Sequence, residues 1–367
     1  MTNKKKVLFI IPYLGTGGAE RQSVTVARLL ADKGYLVSFL TYAKGDLYRD
    51  LLESSGVSYH NIEKRGFHRL FDVTRFIYAG EYNVVISFMQ TPNFLNNFAA
   101  LFGKKWTVIT SIRATPPKTE FQSLKGRIYG WFYRKSDYIV TNSFHTKDVF
   151  ITLFPKYRAK LATIYNAVKL GSIHTEYHAK HNNCLSVIIA ATVSDVKNPL
   201  GLIAALELMS ESERDLLHID WYGKKESVLG NSSTYSTVLE EIENKRLQSV
   251  FTWHDATNDI ASLMNKADCV ALFSKLEGLP NAICEGMMLG KPIIMTRCSD
   301  YELLIKENIN GFLCNWDDPM SIKNALIKMA KKNVEQLMEM GRESKIIAEK
   351  MFSEEAISQA WANLIEH

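Results

Sequence analysis

The sequence predicts an α/β protein built from two parallel-sheet domains, and three observations carry that expectation. At 367 residues the chain has room for two domains of about 100–200 residues each. Short apolar runs of strand length alternate with stretches of helical period, a pattern that buries parallel strands on both faces beneath helices. The same alternation then begins again near Leu185.

In order, Lys6–Pro12 reads as a buried strand, followed by the loop Gly15-Thr16-Gly17-Gly18. Ala19–Lys33 places Val24, Ala27, Leu30 and Ala31 at helical spacing and closes at Gly34. Tyr35–Tyr42 is the second strand and Leu47–Ser54 a short helix. Val84–Phe88, Trp106–Ser111 and Tyr138–Thr141 continue the strands. After the restart, strands are expected at Leu185–Ala191, Leu216–Tyr222, Val250–Trp253, Cys269–Phe273, Pro292–Met295 and Gly311–Cys314, with helices at Leu200–Met209, Asn258–Asn265 and Asn281–Leu289. The expected domains are 1–169 and 184–350, joined through the polar stretch Val168–Asn183, with a last helix over 351–367 packing back on the first domain.

Composition excludes several classes. Hydrophobic residues make up 46% and charged residues 23%, which fits neither collagen-like nor disordered chains. No apolar run nears the roughly 20 residues of a membrane-spanning helix, and the basic N-terminus is a poor signal peptide because its apolar run stops at Pro12. The cysteines at 184, 269, 284, 298 and 314 form no C-x-x-C pair and read as reduced core residues of a cytosolic protein. Charge is uneven. Residues 1–170 carry 25 Lys and Arg against 11 Asp and Glu, whereas 171–367 carry 19 against 28. A basic first half points to an anionic partner, with phospholipid, nucleic acid and phosphorylated substrate all open at this level.

Open parallel sheets bind ligands at the carboxyl ends of their strands, and three loops there carry candidate chemistry. Gly17 and Gly18 lie between the first strand and first helix, where glycines permit positive φ and close backbone approach to a phosphate; a ligand-free tight turn is the alternative. The dinucleotide pattern G-x-G-x-x-G is not met, since Glu20 takes the third glycine position, and no acid follows the second strand. Glu277-Gly278-Leu279-Pro280-Asn281 follows a strand and opens a helix, with Glu285 about one turn later. Paired carboxylates suit sugar or ribose hydroxyls, and free helix-start N–H groups suit phosphate; acids placed to favour a helix N-terminus are the plainer reading. Lys197, in Asp195-Val196-Lys197-Asn198-Pro199, can neutralise a diphosphate or be simply solvated.

Together, Gly17-Gly18-Ala19-Glu20-Arg21, the segment Glu277 to Glu285 and Gly286-Met287-Met288-Leu289-Gly290-Lys291-Pro292 resemble the retaining nucleotide-sugar glycosyltransferases of family 4. The likeness is nearly continuous over Asn258 to Pro319. It implies the GT-B fold, two Rossmann-like doubly wound domains facing a cleft. By position, Glu277 resembles the catalytic-site glutamate that contacts donor-sugar hydroxyls, with Gly278, Leu279, Pro280 and Asn281 around sugar and phosphate. Glu285 resembles the residue holding the nucleotide ribose, Lys197 the lysine of an R-x4-K diphosphate motif, and His254 falls where the family places the loop around the base. Gly17 and Gly18 complete the donor-binding set. Thr192 stands where that motif has arginine, so one expected cation is missing; Arg297 or a backbone nest compensates, or diphosphate binding is weaker than usual.

On the acceptor side, Arg113 replaces a histidine common in the family, which points to phosphate binding, with an ordinary surface arginine as the alternative. The helix expected over Leu124–Tyr133 is basic and aromatic, and reads either as a membrane-surface element or as core through Ile128, Trp131 and Phe132. The expected function is a retaining hexosyl- or N-acetylhexosaminyl-transferase. It would move sugar from a UDP-sugar to a lipid-linked glycan at the inner face of the cytoplasmic membrane. No metal or other cofactor is expected, which agrees with the lack of an Asp-x-Asp sequence, and nucleic acid is not an expected partner. A soluble acceptor, or a non-catalytic sugar-nucleotide- or membrane-binding subunit, are the competing readings.

Overall fold

A computed structural model describes residues 4–63, 66–115, 123–169, 184–225 and 233–366. The expected linker lies largely outside the described residues. The chain divides into two units, 1–167 with 354–367, and 168–353.

The first unit holds a seven-stranded sheet, all parallel, in the order β3-β2-β1-β4-β5-β6-β7. Its strands are β1 (Lys6–Ile10), β2 (Leu36–Thr41), β3 (Ser58–Asn61), β4 (Val84–Phe88), β5 (Thr107–Ile112), β6 (Tyr138–Thr141) and β7 (Leu161–Thr163). Every side chain of β4 is buried, as a central parallel strand requires. The helices α1 (Gly18–Asp32), α2 (Arg49–Ser54), α3 (Gly66–Ala79), α4 (Gln90–Ala99), α5 (Leu124–Phe132) and α6 (Phe144–Leu153) cross between strands.

The second unit is a six-stranded parallel sheet in the order β10-β9-β8-β11-β12-β13. It comprises β8 (Leu185–Ala190), β9 (Leu217–Tyr222), β10 (Phe251–His254), β11 (Cys269–Leu272), β12 (Ile293–Thr296) and β13 (Gly311–Cys314). Its helices are α7 (Pro199–Glu207), α8 (Glu211–Arg214), α9 (Ser233–Asn244), α10 (Ile260–Lys266), α11 (Asn281–Met288), α12 (Tyr301–Leu304), α13 (Pro319–Ala330) and α14 (Val334–Phe352). The last helix, α15 (Glu354–Glu366), belongs to the first unit. There Ile357, Trp361 and Ile365 join Val7, Phe9, Val24 and Phe88 in one core. Lys5 Nζ donates to the Ile365 carbonyl at 2.9 Å, and Tyr35 Oη to Glu366 at 2.8 Å.

Two local expectations change. Gly15, Gly17 and Gly18 have no positive φ; Gly17 sits at φ −71°, ψ 160° ahead of α1. What requires glycine there is space. A Cβ on Gly17 would lie 2.2 Å from the buried Glu20 carboxylate, and one on Gly15 would lie 2.5 Å from the Tyr13 ring. In α5, Phe132 packs on Phe94 with ring centroids 4.7 Å apart, yet Trp131 is 43% and Ile128 46% exposed. Those two side chains are not core. The five cysteines are free thiols, four of them buried.

Lys291 is a buried cation of the second unit, donating from Nζ to the Asn265 carbonyl at 2.5 Å. Desolvation lowers its pKa from 10.5 to about 8, with Asp268 opposing the shift. Between these values the unfolded chain binds the extra proton, so this group makes stability rise with pH across that window. Urea unfolding of wild type and Lys291→Met should therefore differ in slope between pH 8 and 10.5, the variant losing part of the rise; parallel curves would refute the assignment.

Candidate active site

In the second sheet the strand order reverses between β8 and β11, and the loops that follow these strands open at the carboxyl edge where ligands bind. The two loops are tied to each other. The Lys275 backbone N–H donates to the Val196 carbonyl at 2.8 Å, and Lys275 Nζ bonds Asp195 Oδ1 at 2.7 Å while lying 5.4 Å from the Trp316 ring centroid. Asn198 adopts φ +60°, donates to the Trp316 carbonyl at 2.8 Å and starts α7. This left-handed residue turns the first loop back so that Lys197 precedes the helix instead of lying in it.

Glu277 is the centre of the clasp. Its Oε1 accepts from Ser274 Oγ at 2.6 Å and is ion-paired with Lys197 Nζ. Both side chains are largely buried, at 11% and 25% exposure. Ser274 is itself fixed, since Thr296 Oγ1 donates to its carbonyl at 2.5 Å. Ser299 Oγ donates to the Gly278 carbonyl at 2.6 Å. Leu279 and Pro280 are buried, and Pro280 caps α11, whose first residue is Asn281. Glu285 lies one turn into α11, half-buried. Burial, with the Glu277 charge adding to it, pushes the neighbouring Cys298 thiol up to about 11, so it stays a neutral wall.

Further along the same edge, His254 ends β10. Its Nε2 lies 2.6 Å from Asp220 Oδ1, and its ring stacks on Tyr222 at 4.3 Å. Trp253, by contrast, turns to the core side, packing on Trp221 and Tyr235. Thr192 is exposed just past β8. Beside it Gly223 approaches so closely that a Cβ would fall 1.9 Å from the Ala191 carbonyl oxygen. Arg297 is exposed, with its guanidinium carbon 5.8 Å from the Tyr301 ring centroid.

The structure thus joins Glu277 directly to Lys197 and places Gly278–Asn281, Glu285, Thr192 and His254 on the carboxyl side of one sheet. Gly17, Gly18 and Arg113 lie in the first unit, after β1 and β5. Sequence reading gave no role to Ser274, Lys275, Asp220, Tyr222 or Ser299. Lys275 and Ser274 flank Glu277 closely enough that the loop itself was the available signal, whereas Asp220 and Ser299 become neighbours only through the sheet.

Residues 16–171 match the family model described as Glycosyltransferase Family 4, and residues 175–346 the one described as Glycosyl transferases group 1. The chain is a GT-B glycosyltransferase. The transferase is 24% identical over 338 residues to an alpha-1,4-N-acetyl-D-galactosaminyltransferase of Campylobacter jejuni named for a PP-undecaprenol-linked glycan, covering 88% of each chain. It is also 24% identical over 288 residues to the capsular polysaccharide glycosyltransferase CapH of Staphylococcus aureus, covering 76% of this chain and 78% of that one. Anabaena HepE, solved with UDP and glucose, superposes with a TM-score of 0.80 at 18% identity over 99% of both chains.

The clasp gives the transferase a measurable signature. A double-mutant cycle of Lys197→Met and Glu277→Gln on unfolding free energy should show coupling of about 0.5–3 kcal/mol, as contacting side chains do. Strict additivity would mean the pair is not formed in solution.

Proposed function

We propose that this transferase moves a sugar from a UDP-sugar to a lipid-linked glycan with retention of anomeric configuration. The observation that carries the reading is the Lys197–Glu277–Ser274 cluster at the reversal point of the second sheet. The ammonium and carboxylate satisfy each other. A nucleotide sugar offers each a better-matched partner: diphosphate oxygens for Lys197 and sugar hydroxyls for Glu277, whose carboxylate accepts but does not donate. Lys197 and the backbone N–H groups at the start of α11 then stabilise the leaving diphosphate, while Glu277 orients the sugar. In this reading Glu285 holds the ribose, His254 borders the base, and leaving-group stabilisation is assigned to these groups without a metal. The UDP bound in HepE and the undecaprenol-linked acceptor named for the C. jejuni relative support the choice of donor and acceptor.

A membrane-bound acceptor also accounts for the surface of the first unit. Phe102 (61% exposed) and Trp131 are joined through the ring series Phe102–Phe98–Phe132–Trp131, Ile128 is also exposed, and Arg134 lies 3.3 Å from the Trp131 ring centroid. Exposed aromatics among cations suit the headgroup region of an anionic bilayer. No helix among the described residues is long and apolar enough to cross a membrane. From the exposed aromatics beside cations we read the attachment as peripheral, on the cytoplasmic face.

Three measurements test the reading. UDP release from UDP-sugars, supplied with lipid-linked acceptor, should fall at least about 10²-fold in Glu277→Ala, whereas Glu285→Ala should weaken UDP binding by calorimetry. Undiminished turnover in the first variant removes Glu277 from the reaction, and turnover only with water-soluble glycans moves the acceptor to solution. In vesicle sedimentation, association with anionic lipid should weaken with salt and in Trp131→Ala, without a change in melting temperature. Failure to bind anionic vesicles at low salt refutes the peripheral assignment.

A further inference from the structure

Arg113 follows β5 in the first unit, and its guanidinium is committed on three sides. Nε donates to Ser111 Oγ at 2.7 Å, and Nη1 to the Ile164 carbonyl at 3.0 Å and Asn166 Oδ1 at 3.2 Å. Its carbon lies 5.0 Å from the Phe88 ring centroid and 5.5 Å from that of Trp361 on α15, so two aromatic faces hold it. Among the described residues, Nη2 is buried with no hydrogen-bond partner, and the Trp361 indole N–H, on the same cation–ring pair, is buried without an acceptor as well. Beside them Asn142 donates from Nδ2 to the Arg113 carbonyl at 3.1 Å, while its own Oδ1 is buried with no described group donating to it.

The charge is equally incomplete. Burial lowers the Arg113 pKa to about 9, with no carboxylate among the described residues opposing the shift, and at neutral pH the group remains a cation. A desolvated guanidinium without a counter-charge is costly unless an anion completes it. Arg113 as a residue is still partly open to solvent, whereas Trp361 and Asn142 are buried, so Arg113 is the group through which a ligand would meet the cluster. Two N–H donors lacking acceptors call for oxyanion oxygens, and one carbonyl lacking a donor calls for a hydroxyl nearby.

We propose that Arg113, Trp361 and Asn142 form a glycosyl phosphate site, the first two receiving phosphate oxygens and Asn142 a hydroxyl of the attached sugar. The proposal rests on the acceptor reading above, since a glycan linked through phosphate to a lipid presents this chemistry at its first sugar. Phe88 and Trp361 are positioning groups for the cation, and Trp361 contributes its N–H besides.

The test is calorimetry on the full chain saturated with UDP, which fills the donor site, titrated with glucose 1-phosphate and separately with glucose and inorganic phosphate. Wild type should bind glucose 1-phosphate more tightly than either fragment. Arg113→Met should weaken it by about tenfold or more, the size expected for a charge-assisted hydrogen bond, with a melting temperature equal to or above wild type because an uncompensated charge has gone. Trp361→Phe keeps the ring and should weaken binding several-fold. If Arg113→Met does not fold, Arg113→Lys carries the test, with weaker binding again expected. No binding by wild type, or unchanged affinity in the folded Arg113 variant, overturns the proposal; inorganic phosphate binding as tightly as the sugar phosphate overturns the hydroxyl role of Asn142. Glu277→Ala should keep this binding while losing turnover, so failure of the transfer reading and failure of this site give different results.

Discussion

The reversal of strand order between β8 and β11 is the constraint on which the second unit's chemistry depends. Strands on one side of that line are covered in one winding sense and those on the other in the opposite sense, so the two loops leaving it find no helix between them. They meet each other instead. The backbone bond from Lys275 to Val196 and the Lys197–Glu277 pair join segments about eighty positions apart in the chain. Each supporting bond, from Thr296 to Ser274 and from Ser299 to Gly278, comes from the loop and strand end next in the sheet. A carboxylate and an ammonium that solvent would otherwise separate are held in register by backbone, which is the condition for rigid positioning of a donor.

Much of this was legible because buried parallel strands have a direct sequence signature. Val84–Phe88, Tyr138–Thr141 and Gly311–Cys314 stand where their apolar runs place them. The strands that escaped, β3 with its polar Ser58–Asn61 and the short β7, are the two edges of the first sheet. These two edges have no fully buried residue, so they need no apolar run and leave none to read. Donor-loop residues were readable as a motif, but their pairing was not. Nothing local in Lys197 or Glu277 says that each is the other's partner. The opposite error occurred at Gly17, where glycine suggests an unusual backbone angle and the cause is the Glu20 carboxylate folded over it. Arg113 was visible as a charge at a strand end, yet its setting between Phe88 and Trp361 depends on a helix almost 250 residues later.

Two buried sites treat charge differently. In the second unit, Glu277 and Lys197 answer each other directly. In the first, the partners of Arg113 among the described residues are neutral groups and rings. Local rules of burial are obeyed nearly everywhere else in both cores, and departures from such rules concentrate where a protein has work to do.

The core of the first unit contains Ile357, Trp361 and Ile365, although all of the second unit separates them from residue 167. During synthesis the second unit, contiguous over 168–353, emerges whole and can close its core while the first still lacks one wall. Phe9, Phe88 and the strands around them must wait, exposed along that side, until the last helix arrives. The order of translation is therefore not the order of folding: the segment made first is finished last, and its apolar face stays uncovered until α15 has been made.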